Sequence, residues 1–213
     1  MKALLVYSGG MDSTVLLYKY KAEIALAVTF VYGARQDGPQ KECARINCSR
    51  LGIRHLEIPL EFMGQYFRSS ILEGGEPVPH GDYETSNMKS TVVPFRNGIM
   101  LSVAVGLAES NGLDTVLIAN HSGDHAVYPD CRPSFINAID QAAREGTYEG
   151  VRILSPFCNM TKREIALEGR ELGVPFEQTY SCYEGSPVHC GECATCRERK
   201  AALDGFDPTS YIV

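Results

Sequence analysis

Several things are missing from this chain, and each absence narrows its role. Lys and Arg number 20 against 26 Asp and Glu, a formal net charge of −6. That excess of negative charge argues against nonspecific binding to nucleic acid or anionic membrane. No run of residues is expected to be apolar for long enough to span a bilayer. The N-terminus carries Lys2 and then a strand pattern, not a signal peptide with a cleavage site, so a cytosolic protein is expected. Internal repeats and low-complexity tracts are absent. Tryptophan is absent too. The 213 residues suffice for one α/β domain with a small appendage and a proper core.

Two common phosphate signatures are also missing. No glycine loop ends in Lys followed by Ser or Thr, as a Walker loop would, and the three-glycine dinucleotide fingerprint is absent. In their place stands Ser8-Gly9-Gly10-Met11-Asp12-Ser13, directly after the apolar run Leu4-Leu5-Val6-Tyr7. Glycine lets backbone N–H groups turn inward without a Cβ clash, and a helix starting at Met11 adds its dipole. This is an anion cradle, and the anion expected in it is a nucleotide phosphate. The bland alternative is an ordinary strand-to-helix turn.

Hydrophobic patterning places strands at residues 2–7, 24–31, 54–58, 115–119 and 151–154. Helices are expected at 12–21, 39–51, 97–110, 134–144 and 161–173, the last opened by a Thr161/Glu164 capping box, and a short basic helix at 197–203. Strands alternating with helices imply a doubly wound, mainly parallel five-stranded sheet covered on both faces. Residues 60–93 break the rhythm with Gly74-Gly75, Pro77, Pro79 and Gly81, and read as a lid, a substrate loop or a plain surface excursion. Ligands of such sheets bind beyond the carboxyl ends of the strands, here residues 8–13, 30–36, 120–130 and 155–162.

Eight cysteines need an explanation in a chain expected to be cytosolic, where disulfides are disfavoured. Cys43, Cys48 and Cys158 read as small buried hydrophobes. Cys190, Cys193 and Cys196 form CxxCxxC, with Cys182 eight residues upstream. Four thiolates complete a tetrahedral shell, so a closed, structural Zn²⁺ site is expected, with an iron–sulfur cluster as the rival.

The hexapeptide resembles the pyrophosphate loop of the PP-loop ATP pyrophosphatases, the adenine nucleotide alpha hydrolase-like fold. Further motifs narrow this to the 7-cyano-7-deazaguanine synthase family: Tyr32-Gly33-Ala34-Arg35, Val93-Pro94-Phe95-Arg96-Asn97, Gly123-Asp124-His125, Tyr128-Pro129-Asp130-Cys131-Arg132-Pro133, Thr161-Lys162, and Thr179-Tyr180-Ser181-Cys182 with the tail cysteines. The chain departs from the family's usual residues at Ala34, Gln36, Phe95 and Tyr180. The resemblance implies a nucleotide-binding domain over 1–178 with a zinc-binding segment over 179–213 packed on it.

It also implies an ATP-dependent carbon–nitrogen ligase that turns 7-carboxy-7-deazaguanine and ammonia into the nitrile preQ0 on the way to queuosine or archaeosine. The implied partners are small molecules and a second copy of the chain, not nucleic acid or membrane. Ser8, Gly9, Gly10, Met11, Asp12 and Ser13, with Phe30 and Arg35, are expected to hold ATP. Asp12 either bridges Mg²⁺ or caps backbone N–H groups; a magnesium role is favoured. The loop lacks a cation, so Arg96 and Lys162, with Lys89 and Arg35 behind them, are expected to meet the developing charge alongside Asp12 and Ser13. Tyr128 and Tyr180 are expected to stack on the base, Asp124 or Asp130 to accept from its amine and ring N–H, and Arg132 to pair with its carboxylate. His121 and His125 are candidates for proton handling, and Cys131 for a covalent role. Two enzymatic rivals are a tRNA thiolase using the cysteine cluster and another ammonia-dependent amide synthetase; a third is a non-catalytic nucleotide sensor or zinc-stabilised binding module.

Overall fold

A computed structural model describes residues 1–80 and 86–213. The strands are β1 (Ala3–Val6), β2 (Ile24–Val31), β3 (Arg54–Pro59), β4 (Thr115–Leu117) and β5 (Arg152–Leu154). They pair in the order β3-β2-β1-β4-β5, every pair parallel. Alternate residues face opposite sides, as a pleated strand requires. Leu4, Leu26, Val28, Phe30 and Val116 point to one face, and Ala3, Leu5, Tyr7, Ala27 and Leu117 to the other.

Helices cover both faces. On the first lie α4 (Arg96–Ser110) and α5 (Pro133–Gly146), burying Leu101, Ala104, Ala108, Ile136 and Ala143. On the second lie α1 (Met11–Lys19), α2 (Asp37–Leu51), α6 (Lys162–Glu171) and α7 (Ala194–Ala202), burying Val15, Leu16, Ala44, Ile165 and Ala202. Each large aliphatic side chain so buried contributes about 1.5–3 kcal/mol. The Thr161 capping box is present: the Glu164 N–H donates to Thr161 Oγ1 and the Thr161 N–H to Glu164 Oε2.

The segment expected to be irregular is largely tied down. It begins with a short helix, α3 (Glu61–Tyr66), and ends in a 3₁₀ turn at Ser86–Thr91. In between, Ile71 and Leu72 join the core, and Met88 of the 3₁₀ turn is fully buried. Residues 81–85 of that segment lie outside the described residues.

One expectation is corrected. The stretch Met88–Ser110 reaches the length and composition of a membrane span, with a mean hydropathy of 1.4 over its most apolar 18 residues. Its regular part, α4, packs against the sheet, which is where its apolar side chains go.

Candidate active site

β1 has β2 on one side and β4 on the other, so the chain's winding reverses between β1 and β4. That reversal opens a crevice at the strands' carboxyl ends. Ser8–Ser13 turns from β1 into α1 at its floor. Gly9 has φ +81°, and a Cβ there would stand 2.1 Å from the Gln40 carbonyl oxygen of α2. Both the left-handed conformation and the close approach require glycine. Gly10 is the N-cap of α1 with no side chain capping it, so the first N–H groups of the helix have no cap of their own. The Ser8 and Ser13 hydroxyls are 3.1 Å apart, and Ser8 Oγ accepts from the Gly10 N–H.

A cavity of about 220 Å³ opens above this turn. Of the residues expected in the site it gathers Ser8, Gly10, Met11, Asp12, Ser13, Phe30, Arg96, Asp124, Tyr128, Lys162 and Tyr180 along its lining. Lys162, the first residue of α6, sets its ammonium 3.3 Å from Asp12 Oδ2 and 2.8 Å from Glu198 Oε2. Burial lowers its pKa, but Asp12, Glu198 and Asp124 outweigh that and raise it, so the side chain is an ammonium at any working pH. A cation therefore does face the loop, supplied by a segment 150 residues further along. The other carboxylate oxygen, Asp12 Oδ1, is buried without a hydrogen-bond partner. A bare anionic oxygen beside a phosphate cradle suits a hard divalent cation such as Mg²⁺.

Arg96 opens α4 and lies 5.9 Å from the centre of the Tyr128 ring. The Tyr128 hydroxyl lies 3.0 Å from Thr91 Oγ1 and 2.9 Å from the Tyr183 hydroxyl, which builds an aromatic wall. Asp124 and His121 form a capping box: the His121 N–H donates to Asp124 Oδ2, and the Gly123 N–H donates to His121 Nδ1. With Nδ1 accepting, the neutral ring carries its proton on Nε2, which stands 3.9 Å from Asp12 Oδ2.

Several expected residues are engaged otherwise, some of them outside the cavity. Arg35 donates to the carbonyls of Ser70, Gly75 and Glu76, fastening that segment instead of reaching the cavity. Asp130 accepts from the Asn97 N–H at 2.8 Å, capping the start of α4, where Phe95 adopts φ 53°. Arg132 is exposed and donates to the His125 carbonyl, and Lys89 is also exposed. The Tyr180 ring packs on His189, with centroids 4.6 Å apart, and its hydroxyl donates to Ser186 O, so its face is committed to the tail. Cys131 lines the cavity, but burial pushes its thiol far up, which leaves it a poor nucleophile.

Gln36, Gln40, Asn97, Asn120, Ser181, Tyr183 and Thr195 also line the cavity. Among them Asn97 and Ser181 stood inside quoted motifs, whereas Thr195 and the lysine's partner Glu198 carried no local signal.

The four tail sulfurs lie within 4.8 Å of one another. Cys190 and Cys196 are 3.9 Å apart, Cys182 and Cys193 4.0 Å. The N–H groups of residues 190, 192 and 193 point at Cys182 Sγ and Cys190 Sγ. Such crowding makes the thiols share protons: hydrogen bonds from Cys182 and Cys196 drive Cys193 well down, and Cys182 is pushed up to about 11. A cluster of this kind is suited to holding a metal ion.

A parallel α/β sheet whose glycine turn, lacking a Walker lysine, sits at the switch point has a PP-loop ATPase-like fold. A sequence model of the family described as queuosine biosynthesis protein QueC matches residues 2–207, and the chain belongs to that family. It is 54% identical over 212 residues to the 7-cyano-7-deazaguanine synthase of Porphyromonas gingivalis, covering 98% of this chain and 96% of that one. It is 49% identical to the synthase of that name from Desulfotalea psychrophila, covering 99% of each. Among solved structures it is similar in fold to the NMN synthetase of Francisella tularensis, at 14% identity and a TM-score of 0.54, covering 98% of this chain and 79% of that one.

Proposed function

We propose that this chain is an ATP-dependent carbon–nitrogen ligase that converts 7-carboxy-7-deazaguanine and ammonia into 7-cyano-7-deazaguanine. The observation that carries the reading is convergence: the Ser8–Ser13 cradle, Lys162, Arg96 and the Tyr128–Tyr183 wall meet in one cavity in a member of this family. The chemistry explains why such a set is needed. A carboxylate is a poor electrophile, and ammonia does not displace oxide from it. Its oxygen attacks the α-phosphorus of ATP, the bond to the β-phosphate oxygen breaks, and pyrophosphate leaves. Ammonia then adds to the activated carbonyl carbon and AMP departs, giving the amide. The amide oxygen is activated by a second ATP in the same way. Loss of AMP and of both nitrogen protons leaves the C≡N bond. Acid and amide have similar shapes, so one pocket serves both rounds.

Uncapped N–H groups at the start of α1 and the Ser8 and Ser13 hydroxyls hold the leaving pyrophosphate. Lys162 and Arg96 meet the negative charge that develops at phosphorus. Tyr128 and Tyr183 flank the planar base. Asp12 Oδ1 would hold Mg²⁺, which would supply positive charge to offset that of the phosphates. Cys182, Cys190, Cys193 and Cys196 would hold Zn²⁺. A tetrahedral shell with ~2.3 Å Zn–S bonds spaces its sulfurs about 3.8 Å apart, close to the 3.9 and 4.0 Å seen here. An iron–sulfur cluster sets its thiolates farther apart, because the irons lie between them. In this reading residues 1–178 bind nucleotide, residues 179–213 carry the zinc, and the chain works as a cytosolic homodimer.

Incubation with ATP, Mg²⁺, ammonium and the carboxy-deazaguanine, read by mass spectrometry, should give the amide and then the nitrile; neither product would sink the proposal. Metal analysis of anaerobically purified protein should find zinc near one per chain. Iron with sulfide would overturn that assignment.

A further inference from the structure

The Lys162 ammonium lies between two carboxylates, and the nearer belongs to a residue with no motif to announce it. Glu198 Oε2 accepts its hydrogen bond at 2.8 Å, against 3.3 Å to Asp12 Oδ2. The three side chains are largely buried, at 11%, 19% and 20% exposure for Lys162, Asp12 and Glu198. Glu198 sits on α7, the helix whose N-cap is Cys193 and whose first turn holds Cys196. Its neighbour Arg199 is fully buried and donates to Phe176 O, Thr179 Oγ1 and Ser181 Oγ. Turning α7 to withdraw Glu198 would break those bonds and strand a buried guanidinium.

An ammonium without Glu198 would collapse onto Asp12, whose Oδ2 already lies 3.3 Å away. The same carboxylate offers the bare oxygen Oδ1. A lysine seated directly on it competes with any divalent cation for its charge.

We propose that Glu198 is a positioning residue that holds the Lys162 ammonium beside Asp12 rather than on it. The carboxylate then stays open to a divalent cation while the ammonium faces the phosphate. The helix that carries the metal thiolates thereby sets part of the active site. The inference rests on the ATP-using reading of the pocket.

Two variants test it. Glu198→Gln keeps shape and loses charge; Glu198→Asp keeps charge and loses reach. In Glu198→Gln the Mg²⁺ needed to half-saturate ATP binding should rise about fivefold, and kcat for acid-dependent AMP release should fall at least ~tenfold. KM for the acid and metal content per chain should stay within about twofold, which a general loosening of the fold would not allow. In a Lys162→Met background the Glu198→Gln change should cost less than about twofold more, since Glu198 acts through the lysine. The Mg²⁺ dependence is measured by calorimetry with ATP alone, so it reports on Glu198 even where wild-type protein makes no nitrile, a result that counts against the proposed reaction. Unchanged Mg²⁺ dependence, a fully additive double variant, or failure to fold with both Gln and Asp at 198 would each overturn the proposal.

Discussion

The backbone N–H of Tyr180 donates to the carbonyl oxygen of Gly9 at 3.1 Å, so the segment entering the cysteine cluster is hydrogen-bonded to the Ser8–Ser13 turn. Gln40 Nε2 donates to the Tyr180 carbonyl from α2, and Ser181, Tyr183 and Thr195 line the same cavity. The tail is therefore part of the pocket wall.

Metal removal should consequently be felt at the nucleotide. Cys193→Ser, or stripping with a strong chelator, should lower unfolding free energy by about 4 kcal/mol or more. It should also weaken ATP binding by at least ~tenfold, because Tyr180 loses its anchor. Denaturant titration and ATP calorimetry on the same samples check both; a destabilised protein with undiminished ATP affinity would refute the coupling.

Asp12→Asn separates chemistry from stability. Asp12 Oδ1 is a buried acceptor without a partner, and Lys162 keeps Glu198 after the change. Turnover should fall by ~10²-fold or more, while the melting temperature holds or rises. Steady-state kinetics beside thermal unfolding would show it.

Asp130→Ala tests a residue that looked like a substrate contact and turns out to cap a helix. Its carboxylate accepts from the Asn97 N–H. Removing it should cost about 1–2 kcal/mol, the usual value of an N-cap. KM for the acid rising with no loss of stability would restore the substrate role.

His55 gives a small pH signature. Its Nε2 lies 2.7 Å from Thr29 Oγ1, whose hydroxyl donates to the Tyr7 carbonyl. Burial, helped by Arg45 and opposed by Glu57, lowers its pKa. The folded chain then binds protons less readily than the unfolded one. The group's contribution is complete above the unfolded value of about 6.5 and is lost as pH falls below it. Urea titrations at pH about 7.5 and about 5.5 should show the loss, and His55→Gln should flatten it.

Much of the fold was legible because its signals are local. Apolar runs gave every strand within a few residues, and the Thr161 box opened α6 as expected. Irregular residues 67–80 were not legible as core, because Ile71 and Leu72 show no period and are buried by what lies across from them. For the site, Ser8–Ser13 and the four cysteines could be read directly, since their spacing along the chain is itself the geometry.

The remaining assignments depended on position in space. Arg35, Asp130 and Arg132 have the right chemistry for a ligand, yet backbone groups nearby claim them first. Neither Glu198 nor Thr195 carries a motif: Thr195 lines the cavity and Glu198 reaches Lys162 because α7 docks against α6. By itself, the sequence determined a glycine turn between β1 and α1, a four-thiolate cluster and a parallel α/β order, because glycine conformation, ligand spacing and hydrophobic period are properties of neighbours along the chain. Only the tertiary structure decided which cation answers the lysine-free loop. That choice depends on Coulombic distances between residues 12, 162 and 198, which packing alone brings together.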